Sequence, residues 1–403
     1  MKADRDIFAR LLVICGKREV SLRDVLTYCL GPIPWSLATA DGCLAKTNKA
    51  KLLDAIEIPN DCVRVYDGMV IIQQTPSTSL ETFGDISKYV LERITSVQHK
   101  FVYFTTDQYR EDSLKSCERK RRAPEGSIRI QITRRDKKIP KQFKKFLDNG
   151  CNKVGLVRFF LEDWSDPERF KAIIAHRVLF ITLEPRAYRL EVKDDLVRSV
   201  PEENLFSNQE EADTKMFLCS QHAIQELFCG SICITTVDSD VGVLATYYKD
   251  VLPSNLFLQI GSKGKKRILD VSKMHESIGK DMSDALPALH ALSGCDYTSP
   301  FFGIEKQKMY KVVKKSDNFN DVLASMGRSV NFEMEVFPII QEIVSECYGV
   351  KNCQSINDAR YRKFCTKAKV PRAAATPTYR RRITAPLTKS QLCNLCLEIC
   401  VGT

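Results

Sequence analysis

The sequence predicts an α/β chain with a mainly parallel central sheet, and three observations carry that expectation. Between residues 61 and about 315, short β-branched and aromatic runs alternate with helical ones, the pattern of strands joined by helical crossovers. The 403 residues leave room for a sizeable core, and 44% apolar with 28% charged residues is the balance of a folded domain. No apolar stretch reaches membrane-spanning length, and the opening MKADRDIFARLLVICGKREV has too short an apolar core for a secretion signal. An intracellular protein with no membrane partner is expected.

Residues 1 to 60 read as a mixed helical and loop segment, broken by GPIPWS and TADG. The expected strands are Val63 to Tyr66, Phe101 to Phe104, Val178 to Ile181, Ser231 to Val237 and Leu256 to Ile260. The expected helices run from Ile86 to Val97, Lys141 to Leu147, Glu210 to Leu227 and Ala285 to Leu292. Residues 331 to 403 read as a further apolar helix, to about 348, and then a basic flexible tail. Sixteen cysteines are scattered without paired spacing and read as small buried apolar residues, Cys393, Cys396 and Cys400 being incidental thiols.

The net charge of +11 is unevenly placed. Residues 100 to 145 hold fifteen Lys and Arg against six acids, and residues 351 to 403 hold eleven against two, so the remainder is net acidic. Two basic blocks around an acidic body fit a polyanionic partner, because lysine and arginine gain by displacing phosphate counterions. An ordinary solvated surface has the same composition, and charge alone does not choose between them.

The acids are more specific. Three expected strands finish in aspartate, at Asp67, Asp107 and Asp238, and ligands of open parallel sheets sit beyond the carboxyl ends of strands. Asp240 follows Asp238 by two, on the same side if the backbone stays extended. Ser207 and Glu210 are spaced as a capping box opening a helix. There Glu210 would pair with Asp213, whereas Glu211 and Asp213 aim together only if the first turn is irregular. Taken alone, these acids are ordinary partners of a helix dipole. Last comes His290-Ala-Leu-Ser-Gly294-Cys-Asp296-Tyr, then Gly303-Ile304 and a lysine-rich run containing Lys306, Lys308, Lys311, Lys314 and Lys315. Glycines bracketing such a link can leave helix N–H groups open to phosphate, although a lysine-rich surface helix looks the same. His290 itself reads as packed and hydrogen-bonded.

In that order the series resembles the flap-endonuclease-like (XPG-type) branch of the PIN-like nucleases, which carry E-A-E-A, D-x-D and G-S-D-Y…G-I-G. It is closer still to uncharacterised invertebrate proteins sharing E-E-A-D-T, D-x-D and H-A-x-x-G-C-D. The resemblance spans about 61 to 315. It implies a three-layer PIN-like domain over 61–330, with a basic arch-like insertion at 108–150 and a helix–two-turn–helix-like element at 285–325. It assigns catalytic and metal-binding roles to Asp67, Asp107, Glu211, Asp213, Asp238, Asp240 and Asp296. Phosphate contacts fall to Lys115, Arg119 and Arg122, one helical face at i, i+4 and i+7, and to Gly303, Ile304, Lys306 and Lys308.

Oxygen-only ligands select hard ions, here two Mg²⁺ or Mn²⁺, and two such ions suit phosphodiester hydrolysis. Nucleic acid, DNA rather than RNA, is the implied partner, and Arg119 to Arg122 and Arg380 to Arg382 read as nuclear address signals. The sequence also differs from the family pattern. Asp213 stands where glutamate is usual, Glu305 replaces the second glycine of G-I-G, and no aromatic residue follows Asp67. Strand polarity and flap preference are therefore not carried over. The alternatives are a non-catalytic nucleic-acid-binding protein on the same fold and a D-x-D sugar-nucleotide transferase, which leaves Asp67, Asp107 and Asp296 without a role.

Overall fold

The computed structural model describes residues 62–109, 129–253, 255–261, 267–295, 304–326 and 334–351, with isolated positions at 298, 301 and between 355 and 362. Its first strand, β1 (Val63–Asp67), is a buried run of β-branched and aromatic residues and leads into α1 (Gly68–Gln73) and α2 (Phe83–Ile94). Then come β2 (Phe101–Thr105), α3 (Phe143–Leu147), α4 (Gly150–Trp164) and α5 (Lys171–Ile174). Next, β3 (Val178–Leu183), β4 (Arg186–Lys193) and β5 (Leu196–Pro201) form a meander. It is followed by α6 (Ala212–Gln225), β6 (Ser231–Thr236), α7 (Asp240–Tyr247), β7 (Asn255–Ile260) and β8 (Arg267–Asp270). The remainder is helical: α8 (Val271–Ile278), α9 (Lys280–Leu292), α10 (Lys306–Val313), α11 (Asp317–Ser325) and α12 (Phe337–Tyr348).

The eight strands form one sheet in the order β5-β4-β3-β2-β1-β6-β7-β8. Its five central strands are parallel, and β4, β5 and β8 join at the edges antiparallel. Period-two alternation sends the strand side chains to two separate cores. Tyr66, Val102, Phe104, Leu179 and Ile181 pack with α2 and α4, around Phe83, Leu91, Phe160 and Trp164. Val65, Tyr103, Phe180, Ile232 and Ile234 face α6 and α7, around Met216, Phe217, Val241 and Ala245. Helices on both faces of a mostly parallel sheet make the three-layer α/β architecture, consistent with the PIN-like expectation. A third core, under α9 to α12, includes Leu289, Ile304, Met309 and Ile343.

All five expected strands are present. The antiparallel strands β4, β5 and β8 had no clear signal, and α4 opens on Gly-Cys-Asn, which hides it. The capping box expected at Ser207 and Glu210 is not formed. Here α6 starts at Ala212, Glu211 holds the N-cap position with extended backbone, and Ser207 Oγ instead accepts the Gln209 N–H at 3.1 Å.

Residues 129–141 run as a strap across the start of α2. Gly84 N–H donates to the Arg135 carbonyl at 2.9 Å, and Phe83 N–H to that of Lys137 at 3.0 Å. Beneath it, buried Asp163 accepts Arg135, Arg169 at 2.7 Å and Ser87 Oγ at 2.5 Å, so strap, α2 and α4 are tied to one carboxylate. Among the described residues, no helix is long and apolar enough to cross a membrane.

Candidate functional site

Strand order reverses between β1 and β6, the position at which open parallel sheets present a crevice. Register places three acids there. Asp67 ends β1 level with Thr105 on β2, and Tyr66 is level with Thr235 on β6. Asp107 and Asp238 thus each stand two residues beyond the level of Asp67, one on either side. The start of α6 supplies Glu211 and Asp213.

Several of these carboxylates are held by a backbone N–H through one oxygen. Asp67 Oδ1 accepts from Val70 N–H at 3.1 Å, Asp107 Oδ1 from Ala212 N–H at 2.9 Å, and Asp238 Oδ1 from Asp240 N–H at 2.9 Å. Asp107 is therefore the cap of α6 in place of Ser207, satisfying an N–H that the helix leaves over. The second oxygens are more loosely engaged: Thr236 Oγ1 lies 3.4 Å from Asp67 Oδ2, and the Tyr109 hydroxyl 3.2 Å from Asp107 Oδ2. Such backing bonds orient ligands and leave oxygen lone pairs for a cation.

Burial and like charge act together on these carboxyls. Burial, followed by the charges of Asp238, Glu211, Asp67 and Asp107, pushes the Asp213 carboxyl up to about 8. Burial pushes Asp67 up to about 6; the Val70 N–H opposes that rise and Asp107 adds to it. The condition for Glu211 and Asp213 to act together is met, because Glu211 is extended and Asp213 lies in the first helical turn. Glu210 precedes the helix by two residues and so does not stand in its first turn with Asp213.

Asp240 behaves differently. The chain turns after Asp238, with Ser239 already helical, so the extended geometry expected for D-x-D is replaced by a helix start. Asp240 Oδ2 lies 3.2 Å from His290 Nε2, and its carboxyl is held low chiefly by that contact, against burial, with further help from the Lys306 charge. Asp296, Gly303, Lys115, Arg119 and Arg122 lie outside the described residues. Ile304 is buried in the third core, while Lys306 and Lys308 are exposed on the first turn of α10.

Sequence reasoning missed two positioning groups. Lys215, 2% exposed, donates from Nζ to the Thr106 carbonyl at 3.0 Å and to that of Glu184 at 2.8 Å, tying α6 to the ends of β2 and β3. Gln108 donates from Nε2 to the Ser207 carbonyl and from its backbone N–H to that of Glu210, both at 2.6 Å. Lys215 does stand four residues after Glu211, but that spacing equally describes an exposed helical ion pair.

The donor set is all oxygen and densely anionic, which fits a hard divalent ion. As the side chains stand, no three His, Cys, Asp or Glu among the described residues close into a metal-holding group.

In backbone path the chain is similar to the T5 D15 protein, solved after co-crystallisation with metal ions, at a TM-score of 0.37 and 11% identity over 85% of this chain and 99% of that one. No family model and no curated protein matches the chain.

Proposed function

We propose that this protein is a metal-dependent nuclease that hydrolyses phosphodiester bonds in nucleic acid, DNA rather than RNA. One observation carries the reading: strand register brings Asp67, Asp107 and Asp238 to the sheet's switch point beside Glu211 and Asp213 at the start of α6, where burial, followed by the charges of the other four acids, pushes the Asp213 carboxyl up to about 8. Buried acids that raise one another's pKa are costly to ionise without cations, and such mutual perturbation in a crevice is a mark of functional sites.

Asp67, Asp107, Glu211, Asp213 and Asp238 would hold two Mg²⁺ or Mn²⁺ ions, with Asp296 as a further candidate. Bound there, the ions would supply a nucleophile at neutral pH and charge relief on the phosphate. The chain's own residues do the rest. Backbone N–H groups fix the carboxylates at Asp67, Asp107 and Asp238, and Lys215 and Gln108 tie the end of β2, which carries Asp107, to α6 and its approach. An acidic cup repels a phosphate backbone, so basic residues must bring it in. The strap and α3 offer exposed Arg129, Arg134, Lys138, Lys141, Lys144 and Lys145 near the start of α2, and α10 offers Lys308 and Lys311.

The test is cleavage of labelled branched and linear duplexes in Mg²⁺. Metal-dependent products, abolished by EDTA and reduced about 10²-fold or more in Asp213→Asn and Asp238→Ala, support the enzyme. Tight binding without products overturns it in favour of a non-catalytic binding protein.

A further inference from the structure

Three motif residues that the carboxylate cluster does not use lie in a line. From Asp240 Oδ2, at the first residue of α7, it is 3.2 Å to His290 Nε2 on α9. The opposite ring nitrogen, Nδ1, is 3.0 Å from Lys306 Nζ at the first residue of α10. The same ammonium donates to the Gly294 carbonyl at 2.6 Å, where the chain turns out of α9 with φ +98°. A carboxylate only accepts and an ammonium only donates, so the imidazole carries its proton on Nε2 and offers Nδ1 bare. The line starts beside the cluster, because the Asp240 N–H is bonded to Asp238 Oδ1 at 2.9 Å. It ends at the lysine helix.

The structure assigns His290 as a positioning residue that fixes the start of α10 against the carboxylate cluster, through Asp240 on one side and Lys306 on the other. Its functional consequence rests on the nuclease reading: a backbone gripped at α10 is held a set distance from the phosphate that is cut. Lys306 then serves the protein first, and phosphate contact on α10 falls mainly to Lys308 and Lys311.

Side-chain chemistry separates this role from mere packing. Glutamine keeps one donor and one acceptor; leucine fills the volume with neither. Lys306 is exposed, so Lys306→Met breaks the same line without touching a core. In the full-length free protein, amide exchange over α10 (306–313) should rise about tenfold in His290→Leu and in Lys306→Met, no further in the double variant, and return toward wild type in His290→Gln. On labelled duplex, His290→Leu should spread a single cleavage position over neighbouring phosphates and raise KM more than it lowers kcat, and His290→Gln should restore the position.

Unchanged exchange in both single variants, or effects that add in the double variant, overturns the assignment. If wild type cuts nothing, the nuclease reading falls and exchange alone decides the coupling. Cleavage that stays at one position while exchange rises overturns the register consequence.

Discussion

At Asp213 a carboxyl held at about 8 means that the metal-free native protein keeps a proton which the unfolded chain, with its carboxyl near 3.8, has released. The native state binds more protons in that window, so this residue's contribution to stability falls as pH rises from about 4 to about 8 and levels above. Asp213→Asn cannot ionise. In EDTA its stability advantage over wild type should therefore grow from pH 5 to pH 8, by at most about 1.4 kcal/mol per pH unit, as read by denaturant titration. In wild type, Mg²⁺ should raise Tm more at pH 8 than at pH 5, since the ion competes with that proton. A second single-residue test lies next to Asp67. A Cβ on Gly68 would stand 2.7 Å from the Thr105 carbonyl and 2.8 Å from the Phe104 ring. Gly68→Ala should cost about 1–3 kcal/mol of unfolding free energy by overpacking, and move Asp67 off the rim.

Helices and strands respond as units to the side chains that tie them. Because Asp107 caps α6 from another strand, Asp107→Asn keeps an acceptor for the Ala212 N–H, whereas Asp107→Ala loses it. The alanine variant should be about 1 kcal/mol less stable than the asparagine one in chemical denaturation, while both lose metal uptake by calorimetry. Asp163 is the corresponding anchor for the strap. Replacing it with alanine leaves Arg135 and Arg169 without their shared carboxylate and, since water can reach both guanidiniums, should cost about 1–3 kcal/mol, with limited proteolysis shifting to 129–141. Legibility in the sequence followed the same physics. Strands buried on both faces, such as Phe101-Val-Tyr-Phe104 and Ser231-Ile-Cys-Ile-Thr, announce themselves as unbroken apolar or β-branched runs. Antiparallel strands outside the parallel centre, such as Arg186 to Lys193, mix charge with half-burial and do not. The acids Asp67, Asp107 and Asp238 were visible as strand endings. The diversion of Asp240 to His290 was not, since it depends on a helix starting at Asp240 and on a partner fifty residues away. Lys215 was hidden because a buried lysine is satisfied by carbonyls, and backbone carbonyls leave no mark in a sequence.

For the molecule as a whole, an excess of eleven positive charges and a basic strap predict binding that weakens steeply with salt. Replacing Lys141, Lys144 and Lys145 together with glutamine should lower the slope of log affinity against log salt by about 2–3, at roughly 0.9 per phosphate contact, while leaving Tm nearly unchanged. The sheet order has a consequence of another kind. Strand β1 has β2 on one side, close in sequence, but its other neighbour is β6, which begins at Ser231. During synthesis the ribosome must deliver most of the sheet before that flank of β1 can be covered. Until then the nascent chain carries an open apolar seam, a natural contact for a chaperone. Asp238, which follows β6, also joins the other acids only when that seam closes.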